Sequence, residues 1–301
     1  MTPPRRRLDA PTDLRPGDHV CWTFSGAAGL AAAVLPYLDE GRRLGEQLLL
    51  VGRSRPALEE AVSALPGRAD LLAGGQLVVR TTDEAYAAAR GEDPAAQVEV
   101  YRREVEQALD RGRTGLRVAA DATGLAGGGA AEHRRWHRYE RLADELMGAV
   151  PMTALCLYDA ALGRDVLGPL ALLHPGGHRG AREPLVHLSG RGPRLSLHGE
   201  VDVTQVDDLV RALVDVAGAA PGEGYPPEGS RRDGPRRDGP RREVVLDLSD
   251  LDFLDVAGAR GLVTAGRRLA EAGTGLRLVG ARRLVRRCLE LFDGGVPVEP
   301  A

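Results

Sequence analysis

EVVLDLSDLDFLDVAGARGLVTAG, residues Glu243–Gly266, sets the pattern on which the chain is built. Val244, Val245, Leu246 and Leu248 make a β-rich apolar segment, an acidic loop follows, and Phe253-Leu254-Asp255 opens a helix. Asp255 stands where an N-cap belongs, because its carboxylate can accept from first-turn N–H groups that lack an intrahelical acceptor. Val256 is then held at a helix N-terminus, where the dipole and the free N–H groups favour an anion. A strand, a turn and a capped helix in this order form one α/β step.

The step repeats on both sides. Downstream, a strand at Leu276–Val279 and a helix at Arg282–Phe292 complete the pattern. Upstream come a strand at Leu195–His198, the turn GEVD (Gly199–Asp202), and a helix at Thr204–Ala217. That helix places Val206, Leu209, Val210, Leu213 and Val214 on one apolar stripe. Residues 194–296 are therefore expected to form one β-α-β-α-β-α domain, interrupted by an insertion at 218–242. The insertion carries RRDGP in tandem, and its Pro, Gly and paired charges cannot build a core, so it is predicted to be a disordered surface loop. A long loop is tolerated because closure entropy grows only logarithmically with length.

Further upstream, residues 177–193 break the alternation and read as a linker. Before them, residues 13–176 alternate apolar strands (His19–Phe24, Gln47–Gly52, Gln76–Arg80, Gly115–Asp121, Met152–Asp159) with helices. This pattern predicts a parallel sheet covered on both faces. Residues 1–14 read as a frayed leader. Ligands of such sheets lie outside the strand C-termini, which gives a pocket address at Thr23–Gly29, Gly52–Arg55, Asp121–Gly129 and Asp159.

Composition narrows the function. The chain has 301 residues, a formal net charge of −3 and 28% charged residues, so nothing in it favours nucleic acid. It contains no Lys, Ile or Asn; these share A/T-rich codons, and a high-GC bacterial genome accounts for the all-Arg basic set. Three widely spaced cysteines, Cys21, Cys156 and Cys288, make no disulfide framework or paired metal motif. No secretory signal is evident and no apolar run approaches the ~20 residues of a membrane span. A cytoplasmic protein without a membrane segment is the expectation.

Several motifs invite chemistry. A Walker A loop requires a lysine, and none is present, although HVCWTF–SGAAG–helix has the strand–Gly loop–helix layout. His133 and His137 have the i, i+4 spacing of zinc ligands, but Arg fills the place of a catalytic Glu and no third ligand is evident. His19 and Cys21 share a strand face and so could pair as base and nucleophile. Asp247, Asp250, Asp252 and Asp255 lack the EF-hand Gly and Glu, and read as a solvated turn with a cap. No cofactor and no metal ligand are assigned.

The residues from Leu195 to about Gly295 resemble the STAS domain of anti-sigma-factor antagonists, on LSLHGEVD, VVLDLSDLDFLD, GLRLVGA and RRLVRRCLELF. The resemblance implies that the residue after the corner Asp is a Ser or Thr phosphorylated by a cognate anti-sigma kinase, and that the unphosphorylated corner binds that kinase. Here that position is Val256, followed by Ala257 and Gly258, so the usual phospho-acceptor is lost. Asp202, Leu254, Asp255, Val256, Ala257 and Gly258 become the partner-binding candidates.

The first domain resembles the MEDS sensory domain, on GDHVCWTF (Gly17–Phe24), GLRVAAD, ALCLYD (Ala154–Asp159) and His174-Pro175. It departs from the family at Asp121, where Glu is common. The resemblance implies a P-loop-ATPase-like fold without the ATPase motif that senses small organic, hydrocarbon-derived ligands, with His19, Cys21, Trp22, Asp121 and Asp159 as candidate contacts. The expectation is a signalling and transcription regulator rather than an enzyme. Its sensor domain reads a small ligand, and its STAS domain binds an anti-sigma factor serine kinase or other protein partner. An enzyme using His19 and Cys21, or a scaffold subunit with no ligand, are the alternatives. Oligomeric state stays open.

Overall fold

The computed structural model describes residues 6–86, 93–178, 184–218, 242–292 and 296–299. The tandem RRDGP insertion lies outside them, apart from its ends. The chain divides into two compact units, Met1–Ser189 and Gly190–Ala301.

Unit 1 runs β1 (Arg6–Leu8), β2 (His19–Phe24), α1 (Gly26–Leu44), β3 (Gln47–Gly52), α2 (Arg55–Ala61), α3 (Arg68–Ala73), β4 (Leu77–Thr81), α4 (Thr82–Ala85) and α5 (Pro94–Asp110). It continues through β5 (Leu116–Asp121), α6 (Thr123–Ala126), α7 (Ala130–Met147), β6 (Met152–Asp159), α8 (Arg164–Leu172) and β7 (Gly176–His178). Among the described residues its seven strands lie in the order β1-β7-β2-β6-β5-β3-β4, and every registered pair is parallel. The predicted parallel α/β sheet is therefore what forms. Leu48, Leu49 and Leu50 explain why: side chains alternate across a strand, and this unbroken run feeds both faces. Leu49, Val118, Cys156 and Tyr158 pack on one side with α5 and α7. Val20, Trp22, Leu48, Leu50 and Leu155 pack on the other with α1 and α2.

The leader differs from its expectation. Residues 6–8 form β1 against β7, and Leu8 and Leu14 are buried in the α1-side core. Arg117, fully buried in β5, supplies part of the reason. It pairs with Glu46 and with Glu40 at 2.9 Å, donates to the Leu14 carbonyl at 3.1 Å, and lies over the Tyr37 ring at 4.7 Å. A buried guanidinium with these partners pins residues 8–14 to the sheet. Gly41 makes room for it: a Cβ there would collide with the Arg117 stem and Leu48.

The segment 177–193 is likewise not a bare linker. β7 ends at His178, and β8 (Val186–Arg191) follows, with Val186 and Leu188 buried. Their alternation inside PLVHLSGR marks a strand, which Gly and Arg obscure in the sequence.

Unit 2 continues with β9 (Arg194–Val201), α9 (Val206–Ala217), β10 (Arg242–Asp247), β11 (Leu251–Leu254), α10 (Val256–Glu271), β12 (Thr274–Val279) and α11 (Arg283–Leu289). The sheet order is β11-β9-β10-β12, with β8 beside β9. The acidic loop before Asp255 is partly the strand β11: Leu251 and Leu254 are buried and the segment pairs in parallel with β9.

Candidate functional site

Two places carry chemistry, one in each unit. In unit 1, β2, α7, β6 and the turn after α8 meet at a largely buried polar cluster. His19 enters from the start of β2, Glu140 and Asp144 from α7, Cys156 from β6, and His174 from the residue before Pro175. His19 Nε2 lies 3.2 Å from Glu140 Oε2 and 3.4 Å from Cys156 Sγ. Glu140 Oε2 is 3.5 Å from His174 Nε2 and 3.8 Å from Cys156 Sγ. One ligand atom from each of His19, Glu140, Cys156 and His174 lies within 4.8 Å of all the others.

A second ring of contacts orients these four. His19 Nδ1 faces Asp144 Oδ1 at 3.4 Å, and Asp144 Oδ2 faces His187 Nε2 at 3.6 Å. His174 Nδ1 donates to the Leu170 carbonyl at 2.8 Å. The Tyr158 hydroxyl donates to Glu140 Oε1 at 2.5 Å, and Trp136 Nε1 donates to the Tyr158 oxygen at 3.1 Å.

Burial sets the electrostatics. Burial opposes charge on Glu140, yet His174 and His19 beside it hold its carboxyl far below the ordinary carboxylate range. Asp144 is likewise lowered against the cost of burial, by His187 and His19. His19 is raised although burial works against its charged form, because Cys156, Asp144 and Glu140 surround it. His174 is lowered by burial and then by the charge on His19. Burial and the Glu140 carboxylate push the Cys156 thiol up to about 11. The directions for His19, Glu140 and Asp144 describe a protonated His19 facing two ionised carboxylates.

The predicted contacts fall in three groups. His19 joins the cluster, and its sulfur partner is Cys156. Cys21 sits beside Cys156 in register and packs in the same core. Trp22 points to the opposite core, with α1. Asp121 and Asp159 do meet, through Thr123: Asp121 Oδ1 accepts from the Thr123 N–H at 3.1 Å, and the Asp159 N–H donates to Thr123 Oγ1 at 2.9 Å. Asp159 also caps the following 3₁₀ turn through Ala161 N–H. Close by, a cavity of about 340 Å³ is lined by Thr82, Tyr86, Gly124, Trp136 and Tyr139. Trp136 and Tyr139 stack at 4.6 Å, and Tyr86 meets both edge-on at 5.7 Å. His133 and His137 stack on each other at 6.4 Å, outside the cluster.

In unit 2, Asp255 caps α10 as predicted: Oδ1 accepts from the Gly258 N–H at 2.6 Å. Its other oxygen accepts from the Val203 N–H at 3.0 Å, and its own N–H donates to the Val201 carbonyl at 3.2 Å. One carboxylate thus ties the α10 start to the turn after β9. Asp202 closes that turn by accepting from the Thr204 N–H and hydroxyl at 2.8 and 2.6 Å. Gly258 is buried, and a Cβ there would stand 2.6 Å from Leu254 Cδ1 and 2.8 Å from Val201 Cγ1. Leu254 packs inward at 7% exposure, whereas Val203, Phe253 and Val256 are 66, 49 and 52% exposed. Ala257 is half-buried. The other acids of the stretch have local partners: Asp247 with Ser249, Asp250 with His198, and Asp252 with Arg282.

Glu140, Asp144, Cys156, Tyr158, His174 and His187 are the residues that sequence reasoning missed as a site. A weak signal existed: Glu140 and Asp144 are four apart on one helix, and both face His19.

A family model described as MEDS, the MEthanogen/methylotroph, DcmR Sensory domain, matches residues 18–175. A second, described as the STAS domain, matches residues 191–293. Among curated proteins, none matches the chain.

Proposed function

The chain belongs to the MEDS family and carries a STAS domain behind it, and from that premise we propose a regulator that senses in unit 1 and reports in unit 2 by binding a protein. The reporting surface is the Asp255 corner, and the partner is an anti-sigma-factor serine kinase or a related protein. The observation that carries this reading is Val256. It occupies the first position of α10 behind an intact Asp255 cap, half exposed and without a hydroxyl. The geometry of a docking corner is kept while phosphorylation at that position is chemically impossible. Val203 and Phe253 are exposed apolar residues as well, of the kind from which an interface core is built.

For the sensing half, the proposed ligand is a small organic molecule in the cavity walled by Tyr86, Trp136 and Tyr139. Aromatic walls with a few polar groups suit such a ligand. Trp136 is also the first member of a hydrogen-bonded chain through Tyr158 to Glu140, so a ligand that moves Trp136 would be felt at the buried cluster. Turnover is not part of the proposal. Cys156, His19 and Asp144 line up as nucleophile, base and orienter, but His19 is wholly buried and the thiol is pushed up to about 11 by burial and Glu140, away from a reactive thiolate.

The test is calorimetric titration of the full chain with a purified anti-sigma serine kinase of the same genome, with and without ATP. The expected result is one affinity under both conditions, weakened by Asp255→Ala. ATP-dependent loss of binding to the wild-type chain, or no binding to any such kinase, would overturn the proposal.

A further inference from the structure

The geometry points to a divalent transition-metal ion, of the zinc, cobalt or iron(II) class, held in unit 1 by His19 Nε2, Glu140 Oε2, Cys156 Sγ and His174 Nε2. Metal bonds of about 2.0–2.3 Å in a tetrahedron place the donor atoms about 3.3–3.6 Å apart. Four of the six donor–donor edges in this cluster are 3.2, 3.4, 3.5 and 3.8 Å, and all six are under 4.8 Å. The donors are thus already near the corners of such a site.

Chemistry selects the class of ion. Two imidazoles and a thiolate favour a borderline or soft cation over calcium or magnesium, which take oxygen ligands. Charge agrees: a dication with one carboxylate and one thiolate is neutral, which suits a centre whose four residues are all buried. The ion would displace the proton on His19 and the proton of the Cys156 thiol, as metal binding requires of its ligands.

The surroundings are those of a ligated set. Metal-bound histidines hand their second nitrogen to a carboxylate or a backbone carbonyl, which turns the first nitrogen toward the metal. His174 does this with the Leu170 carbonyl and His19 with Asp144. The Tyr158 hydroxyl occupies Glu140 Oε1 and leaves Oε2 to the cluster. The four ligands come from four separate segments, so the ion would cross-link β2, α7, β6 and the turn after α8. Such a site would stand whether or not the Asp255 corner binds a partner.

The experiment uses the full chain, purified without a polyhistidine tag from medium supplemented with zinc, and measures metal by plasma mass spectrometry. About one zinc per chain is expected, falling to near zero in Cys156→Ser and His174→Ala and staying unchanged in Cys288→Ser. Because a ligand variant can fail to fold, the wild-type chain is also stripped with a chelator and reloaded with cobalt(II). A near-ultraviolet thiolate-to-cobalt band and strong visible bands of a tetrahedral ion are expected. Two results would overturn the site: a folded wild-type chain with no cobalt band and no zinc, or zinc content indifferent to both Cys156→Ser and His174→Ala.

Discussion

Unit 1 hides polar groups, and unit 2 displays an apolar one. The cluster around Glu140 places two histidines, a thiol and a carboxylate in the buried interior. The Asp255 corner puts a half-exposed valine at a helix start that favours an anion. Buried polar groups are costly unless every one is met, so the first arrangement is answered from within, by mutual contacts to which the proposed ion would add. An exposed apolar patch costs the free chain little and gains only when another surface covers it. The contrast separates a centre built for something small from a surface built for something large.

The contrast breaks most severely at Glu140. Glu140→Ala takes from the buried His19 and His174 the carboxylate they share, and loss of one member of a buried ionic set costs about 3–5 kcal/mol. Chemical denaturation should show it in the transition of unit 1. Next is Gly258→Val, which forces Cβ and its methyls into Leu254 and Val201; overpacking of this kind costs about 1–3 kcal/mol, read in the transition of unit 2. Asp255→Ala removes the α10 cap and the tie to Val203, at about 0.5–2 kcal/mol, and should weaken partner binding by more than its stability change explains. The smallest effect sharpens the comparison most: Val256→Ser should alter stability by no more than about 0.5 kcal/mol. It should nevertheless create a site that a cognate kinase phosphorylates, visible as added mass on the intact chain.

How much of this was legible in the sequence follows from range. The Asp255 corner could be read because a cap is local: the carboxylate and the Gly258 N–H are three residues apart. The parallel sheet could be read because QLLLVG and MTALCLYD are unbroken apolar strands between amphipathic helices. The cluster could not, since His19 and Glu140 lie 121 residues apart and only the crossover order that sets β2 between β6 and β7 brings them together. His133 and His137 had the right spacing and the wrong address, about two turns and one turn before Glu140. β1 was missed for another reason: it is held by a distant partner, β7, rather than by any strong local pattern, whereas β8 pairs with β9, the next strand in the chain, and was hidden by its Gly and Arg.

The claim that unit 1 senses and unit 2 reports is tested most directly by partner affinity at two states of the buried centre. The purified serine kinase is titrated into the full chain at saturating ATP, once with zinc loaded and once after chelator stripping. The account predicts binding in both states, with affinities that differ by about 5–150-fold, the range of a coupling of about 1–3 kcal/mol. Equal affinities for a chain shown to gain and lose its metal would contradict it.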